Sequence, residues 1–398
     1  MSRTAWQIAV VGAGPVGLAL ALHAARLLPH AQITLFDARP LDRDLSADPR
    51  TLALSLGSVQ FLQRLQAWPA AAAEPILQVH VSQAPPSLAT PWGAPELQLL
   101  ASDLGVAQLG AVLSYGALLS PLQDAWMALA AAQPERLRTR FGVPVAAIKA
   151  LADGVEVDAG IAERFDLAVV AEGGVFADQA RKTIVADYAQ TAWVGTLTRQ
   201  GAQRGCAIER FTRHGPAALL PLPSPGTTDG SSRAALVWCV PSGDDPVREL
   251  TDAQHLAVLR TLFPACAGQL TGIGPLKSFA LGLNAERTLV SGRTVRIGNA
   301  AQTLHPVAGQ GLNLGLRDAH ELVSVLRWAD DLDAALRRAE GARAADRWSM
   351  IAATDFLARS FTWRLPGAAA ARGLGLAALQ ALPPLKGWLA RRMMFGSR

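Results

Sequence analysis

Apolar residues in this chain come as short unbroken runs near the N terminus and in looser alternation through the middle. Gln7-Ile-Ala-Val-Val11 is an apolar run bounded by glycine, the pattern of a parallel strand buried on both faces. Helical periodicity follows from Val16 to about Leu28, and Ile33-Thr-Leu-Phe36 reads as a second strand, so the chain opens on a β-α-β unit. From Pro69 to about Pro95 the sequence is rich in proline and alanine with little periodicity, which marks a departure from that first layer. Leu118 to Ala132 reads as a helix. Phe165-Asp-Leu-Ala-Val-Val170 reads as one buried strand ending at Ala171-Glu-Gly-Gly174.

Between about 185 and 283 the pattern turns to β. Thr191 to Leu197, Ala217 to Leu220 and Ala234 to Val240 are strand-like, and a loop composition from Pro223 to Ser232 separates the last two. Thr294-Val-Arg-Ile297 then returns to the first layer, and helical segments run from Asp318 to about Ser360. An Ala/Leu-rich tail follows, with Leu374 to Leu382 and Trp388 to Phe395 as its apolar parts. The simplest arrangement is an α/β nucleotide-binding domain interrupted by a β-rich one. Its first-layer segments are 1–70, 101–180 and 285–345, its β-rich segments 71–100 and 181–284, and its C-terminal helical region 346–398.

Composition narrows the class. The chain has 398 residues, half of them apolar, enough for one large or two ordinary domains. No uninterrupted apolar run is long enough for a membrane span, and the first residues lead straight into a strand, so neither a transmembrane helix nor a signal peptide is expected. Three scattered cysteines, Cys206, Cys239 and Cys266, have no metal-ligand spacing and suit a reducing cytoplasm. The net charge of +5 comes without a Lys/Arg block interleaved with aromatics, so no nucleic-acid partner is expected. A greasy, mildly basic chain with Arg391 and Arg392 beside Trp388, Met393, Met394 and Phe395 is suited to a peripheral contact with an anionic membrane face. Docking of that tail on the core is the plainer expectation.

Two glycine-rich junctions carry the candidate chemistry. In Gly12-Ala-Gly-Pro-Val-Gly17, Gly12 makes the turn, Gly14 lets backbone meet a pyrophosphate, and Gly17 permits close helix–strand packing. Asp37, at the end of the second strand, is placed to accept hydrogen bonds from a ribose. The second junction, Gly298 to Ala319, is a strand–loop–helix passage with glycines at 309, 311 and 315. Its backbone N–H groups can approach an anionic ligand at a helix N-terminus. An ordinary NAD dehydrogenase needs only the first junction; a long flavin dinucleotide needs both.

With these motifs in view, the chain resembles the single-component FAD-dependent aromatic hydroxylases, specifically the ubiquinone-biosynthesis hydroxylases. The 2-octaprenyl-6-methoxyphenol hydroxylase branch is the most similar. The resemblance rests on Gly12 to Gly17 with Asp37, on Asp48-Pro-Arg-Thr-Leu-Ala-Leu-Ser55 followed by Ser58 and Leu62, on Tyr188-Ala-Gln-Thr-Ala192, and on Gly298 to Asn313.

This resemblance implies a Rossmann-like FAD-binding domain (GR2, p-hydroxybenzoate hydroxylase-like) with an inserted β-rich substrate domain and C-terminal helices. It implies FAD as cofactor, held by Gly12, Gly14, Gly17, Asp37, Arg50, Gly298, Asn299, Pro306, Gly309, Gln310, Gly311, Leu312 and Asn313, with NAD(P)H as reductant. It also implies hydroxylation of a polyprenyl phenol by O₂ through a flavin C4a-hydroperoxide, with His305 as the candidate catalytic side chain and no metal. Asn299 stands where relatives of the class have Asp, and Glu172 where they have the Asp of an Ala-Asp-Gly turn. The implied setting is cytoplasmic, peripheral on the inner membrane face, within a ubiquinone-biosynthesis protein complex. Trp238 is a candidate both for a substrate pocket and for core. Two other readings stay open: a hydroxylase of a small aromatic acid, for which Arg210, Arg213 and Lys277 are available, and a non-catalytic flavin-binding scaffold.

Overall fold

The computed structural model describes residues 5–85, 95–173, 182–224, 230–360 and 367–396. Gly174, most of the proline-rich tip (86–94) and the middle of the 223–232 loop (225–229) lie outside them. The apolar N-terminal runs become a six-stranded sheet. From one edge its strands are Val290–Ser291, Thr294–Arg296, Leu167–Val170, Gln7–Val11, Gln32–Asp37 and Leu137–Phe141. All neighbours are parallel except the short edge pair. Their residues are buried because helices cover them: α1 (Pro15–Leu27), α3 (Tyr115–Ala132) and α5 (Gln310–Leu326) pack with the sheet in one core that includes Ile8, Val10, Leu18, Leu22, Ile33, Leu35, Leu122, Trp126 and Leu322.

Two sequence expectations shift by a few residues. The strand expected over 165–170 is two, Ala162–Phe165 in an antiparallel hairpin with Val155–Asp158 and Leu167–Val170 in the parallel sheet. Asp166 makes the switch, since its carboxylate accepts from the Gln7 N–H at 2.7 Å. The helix expected from Leu118 begins at Tyr115, because the Ser114 hydroxyl accepts from the Ala117 N–H at 3.2 Å and caps it.

A large second sheet runs Gln302–Thr303, Lys277–Ala285, Ile184–Gln200, Ser231–Pro241, Gly215–Leu222, Cys206–Thr212, Gln78–Gln83 and Glu96–Leu100, with Gln269–Ile273 also pairing the long strand Ile184–Gln200. The aperiodic region after Pro69 therefore contributes strands, Glu74–Ile76 and Gln78–Gln83, whose pairing partners lie far along the chain. One face of this sheet is covered by α4 (Asp252–Leu262): Cys206, Ile208, Leu219, Leu236, Trp238 and Leu259 share a fully buried cluster there. Trp238 is thus core, meeting His255 edge to face at 6.3 Å between centroids. The opposite face looks toward the glycine-rich junctions. α2 (Leu56–Arg64), α6 (Leu332–Ser360), α7 (Ala368–Ala381) and α8 (Pro383–Phe395) complete the described helices. The tail docks through Ala390 and Met394, while Leu374, Leu382, Leu385 and Trp388 stay exposed. Among the described residues no helix is long and apolar enough to cross a membrane.

Candidate flavin site

The parallel strands end together at Gly12, Asp37, Ala171 and Ile297, the edge where a doubly wound sheet binds its ligand. Gly12 has φ +102°, and a Cβ there would lie 2.8 Å from the Glu172 nitrogen. A Cβ on Gly17 would lie 1.9 Å from the Gly12 carbonyl oxygen. Gly298 (φ +59°) and Gly315 close the second junction in the same way, as a Cβ on Gly315 would meet the Gly298 Cα at 2.8 Å and Val16 at 2.9 Å. The two distant motifs are therefore packed against each other through α1 and α5. Each helix starts on a glycine, Gly14 or Gly309, without a side-chain cap over its first N–H groups. Those uncapped groups, with the partial positive charge of the helix end, fit an anionic dinucleotide.

Asp37 is occupied within the protein. Its oxygens accept from the Ala13 N–H at 2.6 Å and the Arg39 N–H at 2.7 Å. Arg39, two residues on and not anticipated from the sequence, reaches back to the Ala13 carbonyl and to Gln123. Glu172 stays open to solvent at its surface, yet crowding by the surrounding fold, and secondarily the charge of Asp37, raises its carboxyl above the ordinary range.

Arg50 is exposed and forked onto Asp48, with Nη2 to Oδ2 at 2.8 Å, and its guanidinium lies 4.0 Å over the Tyr115 ring. The Tyr115 hydroxyl in turn is the nearest atom to a Cβ placed on Gly14, at 3.8 Å. Tyr115 thus links the second motif to the first, a role that an isolated Tyr at a strand–helix junction does not announce. A hollow of about 400 Å³ beside Arg50 is lined by Asp44, Leu45, residues 47–50 and Lys277. Of the three cations named for an acid substrate, Lys277 lies here. Arg210 is tied to the Leu262 carbonyl on the α4 face, and Arg213 to His214.

The second junction is braced from below. Asn313, 2% exposed, accepts from the Ser55 N–H and the Ser58 hydroxyl, each at 2.8 Å, and donates to the carbonyls of Ala53 and Gly309. Its side chain is fully committed to clamping the 48–58 segment onto the start of α5. Gln302 donates to Asp318, Asp318 accepts from Arg343, and Arg343 bridges to Asp346, all buried. Pro306 is exposed, Gly298 and Gln310 are buried, and Asn299, Gly309, Gly311 and Leu312 are half-buried, with open space beside Gly311 where a Cβ would project.

His305 is 1% exposed. Its Nδ1 accepts from the Val307 N–H at 3.1 Å, which leaves Nε2–H to donate to the Gln190 side-chain Oε1 at 3.1 Å. Burial lowers its pKa to about 4, so the ring is neutral and both nitrogens are engaged. This explains the Tyr188-Ala-Gln motif. Ala189 adopts φ +50° at a bulge in the long strand, its N–H held by Asp187, and Tyr188 and Gln190 on either side both meet His305.

The protein has the fold of the FAD-binding monooxygenases. HpxO of Klebsiella pneumoniae, solved with FAD and uric acid, superposes with a TM-score of 0.70 at 17% identity over 98% of this chain and 97% of that one. The p-nitrophenol 4-monooxygenase PnpA of Pseudomonas putida does so at 0.70 and 16% over the whole of both chains. In sequence, residues 185–331 match the FAD binding domain family. The ubiquinone hydroxylase UbiL of Rhodospirillum rubrum is 38% identical over 214 residues, 52% of this chain and 48% of that protein. The chain thus matches about half the length of the first curated relatives. The 3-demethoxyubiquinol 3-hydroxylase of Escherichia coli is 29% identical over 97% of both chains. In sequence the chain is thus similar to FAD-dependent hydroxylases of ubiquinone biosynthesis, and FAD is its cofactor.

Proposed function

We propose that this protein hydroxylates the aromatic ring of a polyprenylated phenol in ubiquinone biosynthesis, using FAD reduced by NAD(P)H, with O₂ as the oxygen source. The observation that carries the reading is the full-length likeness to the Escherichia coli 3-demethoxyubiquinol 3-hydroxylase, together with flavin motifs that meet at one sheet edge. Bound FAD supplies the oxygen-activating chemistry; the chain holds it and keeps water out. Gly12, Gly14 and Gly17 and the start of α1 hold the pyrophosphate half, with Asp37 and Arg50 beside it. Gly298 and Asn299 take the ribityl chain. The loop from Pro306 to Leu312 would hold the flavin ring, with the backbone N–H groups of Gly309, Gln310, Gly311 and Leu312 available to favour negative charge there. Asn313 and His305 act behind that backbone as positioning residues, because their side-chain polar groups are spent on the protein.

The apolar side chains Leu374, Leu385 and Trp388 on α7 and α8, with Leu382 between them, give the protein a surface for the membrane that holds such a substrate. Quinone intermediates in cells lacking the protein test the reading. An accumulated prenyl phenol missing one ring hydroxyl supports it, and an unchanged quinone profile removes it.

A further inference from the structure

The two faces of the large sheet differ in how deeply they are buried. Strand alternation puts Cys206, Ile208, Leu219, Leu236 and Trp238 under α4, all buried. The alternate positions Val81, Val194, Glu209, Leu220 and Val237 are only half-buried. This is the face on which Phe211, of the same strand as Glu209, meets Val307 of the second junction. Register lines up Val81, Glu209, Ala218, Val237 and Val194 across five adjacent strands, so one carboxyl sits in a row of aliphatic side chains.

Two residues along the same strand and face, Phe211 packs with Val307, the residue after Pro306, and with Leu357 of α6. In the other direction Ala207 packs in a cluster with Leu376 of α7 and Met394 of α8. Glu209 therefore lies between the flavin loop and the C-terminal helices. Its carboxyl has no hydrogen-bond or ion-pair partner among the described residues. Surrounding protein pushes it up to about 8, and the Cys239 thiol is raised by burial and then by the charge of Glu209. A lone carboxyl in apolar surroundings costs stability unless something uses it.

We propose that Glu209 is the polar anchor of a substrate chamber on this face, hydrogen-bonding the ring hydroxyl of the phenol and so fixing which edge of the ring faces the flavin loop. This rests on the phenol-hydroxylase reading above. The valines and leucines around it take the ring and the first part of its apolar chain, and the carboxyl supplies the polar contact that tells a phenol from its ether.

The test uses the full-length FAD-loaded protein, titrated with 2-geranylphenol and with its O-methyl ether while flavin absorbance is followed. The wild type should bind the phenol at least about tenfold more tightly than the ether, as expected of one buried hydrogen bond to a carboxyl. Glu209→Leu should lose that preference while keeping its flavin and melting at a higher temperature, and Glu209→Gln should restore part of the preference. A purely structural Glu209 would instead lower the melting temperature of Glu209→Leu and leave the preference intact, which overturns the proposal. A wild type that oxidises NAD(P)H in response to the phenol yet binds phenol and ether equally also overturns it, leaving the hydroxylase reading in place. If the phenol neither binds nor stimulates NAD(P)H oxidation, both fall.

Discussion

At His305 the hydrogen bond accepted by Nδ1 from the Val307 N–H requires a neutral ring, while Nε2–H donates to the Gln190 side chain. The folded pKa of about 4 lies below the ordinary 6.5, so the unfolded chain binds more protons between those values. The sign follows: this contribution is intact above pH 6.5 and is lost as pH falls toward 4, amounting to roughly 3 kcal/mol. Urea unfolding should show the stability gap between wild type and His305→Gln narrowing by about that much from pH 7 to pH 4. A constant gap contradicts the assignment. Asn313 offers a pH-independent counterpart. Asn313→Ala strands the Ser55 N–H and two carbonyls in a buried site, and should cost about 2–5 kcal/mol and weaken flavin retention, read by unfolding and by bound-flavin absorbance.

Helix–strand contact decides what glycine means at each junction. Gly17 and Gly311 are both helical glycines, yet a Cβ at Gly17 lands 1.9 Å from backbone oxygen whereas one at Gly311 meets nothing. Gly17→Ala should therefore part α1 from the first strand and release flavin, while Gly311→Ala should raise the stability of the flavin-free protein by about 1 kcal/mol through helix propensity. Melting of the two variants checks this, and equal loss in both would contradict it.

The β-α-β unit and the second junction were legible because strand, helix and glycine spacing are local. The strands after Pro69 were not, since Gln78–Gln83 pairs with Cys206–Thr212 and Glu96–Leu100, and pairing rather than periodicity makes it a strand. The roles of Tyr115 and Arg39 also depend on tertiary neighbours. Glu209 did leave a signal, a carboxylate inside the strand Cys206-Ala-Ile-Glu-Arg-Phe-Thr212, but which face it served became visible only through the register.

Across the whole molecule, the half-buried face of the large sheet meets the flavin loop through Phe211 and Val307 and meets α7 and α8 through Ala207, Leu376 and Met394, and the proposed chamber would run between these contacts. That arrangement places the exposed Leu374, Leu385 and Trp388 near the route an apolar tail would take inward. Trp388→Ser with Leu385→Ser should reduce co-sedimentation with anionic phosphatidylglycerol vesicles severalfold without changing flavin content, and unchanged binding would remove these helices from the membrane contact. The central claim, oxygen transfer to a prenylated phenol, is tested most directly with ¹⁸O₂. The purified FAD-loaded protein, given NAD(P)H and 2-geranylphenol, should place one labelled hydroxyl on the ring for each NAD(P)H consumed. NAD(P)H consumption indifferent to the phenol, with no label in the ring, would contradict the account.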